Sequence, residues 1–181
     1  MAAESFTPLV ERICEVLCDG AVGVARSIPM GEFRRTTGRV APNRQPPSAG
    51  DKPTIDVEIV ATRDSEGTPG NESGDWWLVE ADVVVSVTYA FLGGNAKSVP
   101  NGGDRTSLTT RAANDALRIR GALGYPGNLE RATGGGPEAR GFETGLCSGL
   151  LEWRETESDW QDKTLVVRHR FLGRVELTPP T

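Results

Sequence analysis

The chain is poor in the residues that usually carry chemistry. It has one histidine, His169, and three cysteines, Cys14, Cys18 and Cys147, in 181 residues. An odd number of cysteines without regular spacing excludes a disulfide framework. Cys14 and Cys18 stand four apart on an expected helix, where side chains are neighbours, but a zinc site needs more soft ligands than one histidine supplies. Packing is the expected role of both thiols, and a reducing compartment suits them. Positive charge is also short. Twenty Lys and Arg face twenty-five Asp and Glu, a net charge of −5, which argues against a dedicated nucleic-acid binder while leaving brief contact with DNA open. No window approaches the ~18 apolar residues of a membrane-spanning helix. The N-terminal residues lack the basic and apolar regions of a secretory signal. Without one, the glycosylation pattern Asn71-Glu72-Ser73 is taken as chance.

Catalytic patterns are thin as well. A Cys147/His169 pair would lie on neighbouring strands of one hairpin, with no third residue marked to orient it. His169 falls on an inward strand position, where a satisfied core residue is the expectation. Gly93-Gly94-Asn95-Ala96-Lys97-Ser98 has a Lys-Ser pair but lacks the first phosphate-loop glycine, and Pro100 follows where a helix should start. The carboxylates of 56–82 lack the spacing of a calcium loop. No cofactor or metal is expected, and no enzymatic activity.

Strong periodicity is present instead. Trp77, Val79, Ala81, Val83, Val85, Val87, Tyr89 and Phe91 share one parity of the run Trp76–Phe91. Period-two alternation over sixteen residues predicts one long β-strand with a buried face. At ~3.4 Å per residue it would run ~54 Å, against ~17–20 Å for a usual strand. Two short helices would not cover that length, so part of the strand is expected to be covered by a neighbouring subunit.

Around it, Phe6, Leu9, Val10, Ile13, Val16 and Leu17 predict an amphipathic helix over 5–19, with Ser5 or Thr7 as cap, Pro8 in the first turn and Gly20 at its end. Residues 26–53 carry six basic residues (Arg26, Arg34, Arg35, Arg39, Arg44 and Lys52) against Glu32 and Asp51. Pro42, Pro46, Pro47 and Gly50 break its second half, so it is a long basic loop, either solvated or an interaction arm. Ile55, Val57, Ile59 and Ala61 predict a strand over 54–62, paired antiparallel with the long strand through a turn-rich tip at 63–75. From Asp56 to Asp82, eight acidic residues face Arg63 alone.

After the glycine-rich loop 93–103, a helix is expected from Asp104 or Thr106 to Leu123. Its stripe is Leu108, Ala112, Ala116, Ile119 and Leu123, widened by Leu117. Arg111, Asp115 and Arg118 are spaced as a surface charge ladder. Residues 124–145 form a third long loop. The chain closes on a hairpin. Its first strand lies at Leu146–Trp153, its tip holds Glu155, Glu157, Asp159 and Asp162, and its return strand holds Leu165, Val167, His169, Phe171, Val175 and Leu177. Arg168, Arg170 and Arg174 would attract facing carboxylates modestly.

The order helix, strand, strand, helix, strand, strand implies a single α+β domain over 1–181. The expected architecture is a two-layer sandwich, a mainly antiparallel four-stranded sheet with both helices on one face and long loops. Trp76 and Trp160 stand outside the core pattern. They serve either a subunit interface or loop packing, and Arg34, Arg35 and Arg39 are the matching interface candidates on the basic arm.

This element order resembles the tail terminator and tail-completion proteins of long-tailed bacteriophages. The matching parts are the helix Phe6–Leu17, the strand pair Thr54–Thr62 and Trp76–Phe91, the helix Thr106–Leu123 and the closing hairpin Leu146–Leu177. The resemblance implies a virion subunit that forms a hexameric ring. Such a ring caps the finished tail tube, joins it to the head–tail connector and passes DNA through an acidic lumen without binding it specifically. It would be assembled in the host cytoplasm. The segments 26–53, 63–75 and 124–145 are longer than a minimal member needs. They are either decoration or the mark of another neck or tail component.

Overall fold

The computed structural model describes residues 5–20, 24–26, 28–36, 52–64, 77–90, 105–130, 144–161 and 164–177. Its elements run α1 (Thr7–Cys14), a π-helical turn (Glu15–Asp19), β1 (Arg34–Arg35), β2 (Thr54–Asp64), β3 (Trp77–Ala90), α2 (Arg105–Leu123), β4 (Glu152–Gln161) and β5 (Thr164–Leu177). The α+β class is as expected. The sheet is not the four-stranded antiparallel one predicted. It has five strands in the order β1-β2-β3-β5-β4 and is mixed, because β1 pairs parallel with β2. The basic segment 26–53 therefore contains an edge strand and is not loop throughout.

The first helix ends its helical run at Gly20 as expected, but its N-cap position is Phe6 without a side-chain cap, not Ser5 or Thr7, and its second half is a π-helical turn. Ser5 Oγ accepts from the Thr7 amide at 3.3 Å, Pro8 occupies the first turn, and Gly20 ends the helical run in the left-handed conformation at φ 63°. That conformation is open to glycine without steric cost. A Cβ there would also lie 3.1 Å from the Met30 Cβ. Leu9, Ile13, Val16 and Leu17 are fully buried, so the stripe docks on the sheet.

The long strand β3 lies at the centre, antiparallel to β2 on one side and β5 on the other. Val79, Ala81, Val83, Val85, Val87 and Tyr89 are all buried within the single chain. Over this stretch the strand has its cover within the chain, while Trp76 and Phe91, the ends of the predicted run, lie outside the described residues. Near its end Tyr89 bonds to Asp115 of α2, and around Ala81 the cover includes Leu146 and Leu151. Gly173 on β5, opposite Ala81, leaves the room for them: a Cβ at Gly173 would sit 2.7 Å from Leu151 Cδ2 and 3.0 Å from Leu146 Cδ1.

On α2, Leu108, Ala112, Ile119, Ala122 and Leu123 face the core. Two sequence expectations fail on this helix. Leu117 does not widen the stripe and is 67% exposed, whereas Asp115, placed on a surface ladder, is only 6% exposed. The chain then turns tightly. The buried Asn128 side chain donates to the carbonyls of Ala25 at 2.7 Å and Ala122 at 2.8 Å, and accepts from the Ala25 amide at 2.9 Å. Nothing in the glycine-rich composition of 124–145 marked this residue.

The closing hairpin is shifted from its predicted register. Its first strand is Glu152–Gln161, so Glu155, Glu157 and Asp159, assigned to a tip, form the strand itself, while Asp162 lies outside the described residues. Leu146 makes only an isolated bridge to Val175.

Candidate functional site

The predicted interface residues do not come together. Arg34 is exposed on β1 and Arg35 bonds to Glu11, at one edge of the sheet. Trp160 is on β4 at the other edge, partly buried against the core. Trp76 and Arg39 lie outside the described residues. Cys147 and His169 are also apart. Cys147 is exposed, and its amide donates to the Arg174 carbonyl at 2.9 Å, five residues along β5 from His169, or ~17 Å of strand. Burial pushes the Cys14 and Cys18 thiols up to about 11 and about 12, which leaves them protonated and inert.

Strand β4 is exposed over most of its length, as β2 is only at its end, from Val60 to Asp64. Every residue from Glu152 to Asp159 is exposed, on both faces. Its outward side chains face arginines of β5, with Glu155 opposite Arg170 and Glu157 opposite Arg168. The first pair closes to 3.2 Å, as the facing charges suggested. A bulge at Arg154 interrupts the register. On the other face, the Trp153 indole lies under the Arg120 guanidinium of α2, 4.3 Å from ring to charge, and its Nε1 donates to Thr156 Oγ1 at 3.1 Å. Thr156 Oγ1 is also 3.0 Å from Nδ1 of His169. His169 is 1% exposed and its Nε2 has no partner among the described residues. Burial lowers its pKa to about 4, so the imidazole is neutral near neutral pH.

The outward face of the whole sheet is acidic. By register it carries Asp56, Glu58, Glu80, Asp82, Glu152, Glu155, Glu157, Asp159 and Glu176 against Arg63, Arg168, Arg170 and Arg174. Arg63 and Arg174 both reach Glu80, at 2.8 and 3.4 Å. These exposed pairs contribute little to stability individually, and the surplus charge is negative.

A trough of about 930 Å³ opens on the helix layer, between α2 and the residues just ahead of β1 and β2. One polar face of α2 lines it, through Ser107, Thr110, Arg111, Asn114, Asp115 and Arg118, opposite Glu32 and Lys52. Its floor is a buried polar pair: the Tyr89 hydroxyl donates to Asp115 Oδ2 at 3.1 Å. Arg118 bridges Asp115 at 3.4 Å and Glu32 at 2.5 Å, and Arg111 stands 3.7 Å from Asp115. Burial raises the pKa of Asp115, against the opposing pull of the Tyr89 hydroxyl and the two arginines. Lys52 is exposed and forms no ion pair among the described residues. Sequence spacing showed the Arg111–Asp115–Arg118 ladder but not that its acid is buried, because the Tyr89 partner is twenty-six residues away.

Among the described residues, no group of three His, Cys, Asp or Glu is placed to hold a metal ion, and no helix is long and apolar enough to cross a membrane. Compared with known proteins, the chain matches no family model, and a search of curated proteins finds no match.

Proposed function

We propose that this chain is a structural virion protein, a subunit resembling phage tail terminators. Its ring caps the tail tube and joins it to the head–tail connector. The observation that carries this reading is β4, a ten-residue strand exposed on both faces from Glu152 to Asp159, whose outer edge has no partner strand among the described residues. A strand so placed buries little of its own surface and presents unpaired backbone groups that favour an added partner. In the same reading the chain is not an enzyme, because a ring subunit works through surfaces. The acidic outward sheet face suits a lumen that repels phosphates and lets DNA slide. The subunit meets copies of itself, the tube protein and the connector, and acts in the tail or neck of the virion.

Electron micrographs of the protein mixed with tail tubes test the proposal. A single ring at tube ends is the expected result. Tubes left bare would overturn it, and long filaments of this chain alone would favour a tube protein. The α2 trough favours a second reading, a small-molecule-binding α+β domain. That reading expects saturable binding of a polar ligand by a chain that stays monomeric.

A further inference from the structure

Two oppositely charged surfaces flank α2, which lines the trough through Arg118 and meets β4 through Arg120. Strand β4 has Glu152, Glu155, Glu157 and Asp159 against Arg154, all exposed. Glu157 forms no ion pair among the described residues. The trough lies toward the other sheet edge, lined by residues that directly precede β1 and β2. Its carboxylates are occupied internally, Glu32 by Arg118 and Asp115 by Tyr89 and Arg118. Its outstanding charge is therefore positive, on Lys52 and on Arg111, which is held only at 3.7 Å from Asp115.

We propose that the acidic strand β4 of one copy docks against the α2 trough of the next. This deepens the ring reading and rests on it. Two copies joined through β4 alone would set carboxylate rows against each other, which disfavours a two-fold β4–β4 contact. Contact between distinct surfaces is heterologous, and a heterologous contact that closes on itself makes a ring. The Lys52 ammonium and the donors of Arg111 and Asn114 meet Glu157 and Asp159 across the junction.

Charge reversal tests the contact. Lys52→Glu and Glu157→Lys each alter an exposed side chain, so circular dichroism should show an unchanged fold. Sedimentation velocity should show each single variant assembling about tenfold more weakly than the natural chain, because like charges then face each other. The double variant Lys52→Glu/Glu157→Lys should regain most of the lost affinity. Asp159→Lys and Lys52→Gln provide second probes on each side. Rings that persist unchanged in all the single variants overturn this contact and leave the ring reading standing. A natural chain that is monomeric at every concentration overturns the ring reading, and the contact with it. Weakened single variants with no recovery in the double variant also overturn the contact.

Discussion

Strands β3 and β4 belong to one sheet and differ in almost everything else. β3 is central, and its inward side chains from Val79 to Tyr89 are buried to 8% exposure or less. β4 is an edge strand with exposed side chains on both faces through Glu152–Asp159. The difference shows where the single chain is self-sufficient. Length alone suggested that β3 needs a neighbour, yet Leu146 and Leu151 close over Gly173 and form part of its cover around Ala81. Among the described strands, the longest run left without cover is β4, which composition disguised as a turn.

One change made in both strands should give the largest contrast. Val85→Asp places a carboxylate among apolar side chains with no partner, and is expected to cost about 4 kcal/mol or more. Ser158→Asp on exposed β4 should stay within about 0.5 kcal/mol. Urea unfolding of the two variants measures the contrast, and equal losses would show that β4 is packed as tightly as β3.

His169 joins the two regions, since it faces Val85 on β3 and Thr156 on β4. Its folded pKa is depressed to about 4 from 6.5. Between those values the unfolded chain binds a proton that the folded chain does not. The contribution is therefore fully present above pH ~6.5 and is lost as pH falls toward 4. Its size is roughly 3 kcal/mol. His169→Phe should flatten stability across that window when urea midpoints are compared at several pH values. Parallel curves for the variant and the natural chain would contradict the assignment.

The smallest effect concerns the tie between α2 and β4. Trp153→Ala removes the stacking on Arg120 and should cost about 0.5–1 kcal/mol. A loss of several kcal/mol by thermal or urea unfolding would mean that β4 is anchored far more firmly than its exposure implies.

The same contrast explains what was legible in the sequence. β3 was readable to within a residue at each end because one face is apolar throughout. α1 and α2 were readable from their stripes and from the breaks at Gly20 and Gly124. β4 was missed because from Glu152 to Asp159 both of its faces are exposed, so Glu155-Thr156-Glu157-Ser158-Asp159 carries no apolar alternation. β1 was missed because two residues make no pattern, and a parallel partner twenty positions away leaves no local sign. The trough was unreadable for a related reason. Asp115 looks like any solvated helix acid until the fold brings the Tyr89 hydroxyl beneath it. The arginines of β1 and Trp160 of β4 were noticed one by one, but the strand order alone puts them at opposite edges.

The account turns on β4 being covered by another copy. Amide hydrogen exchange, followed residue by residue at high protein concentration and again after strong dilution, tests this directly. The expected result is that β4 amides pointing away from β5 are protected in the concentrated sample, while those of Trp77–Ala90 exchange slowly in both. Fast exchange of the same β4 amides at both concentrations would contradict the account.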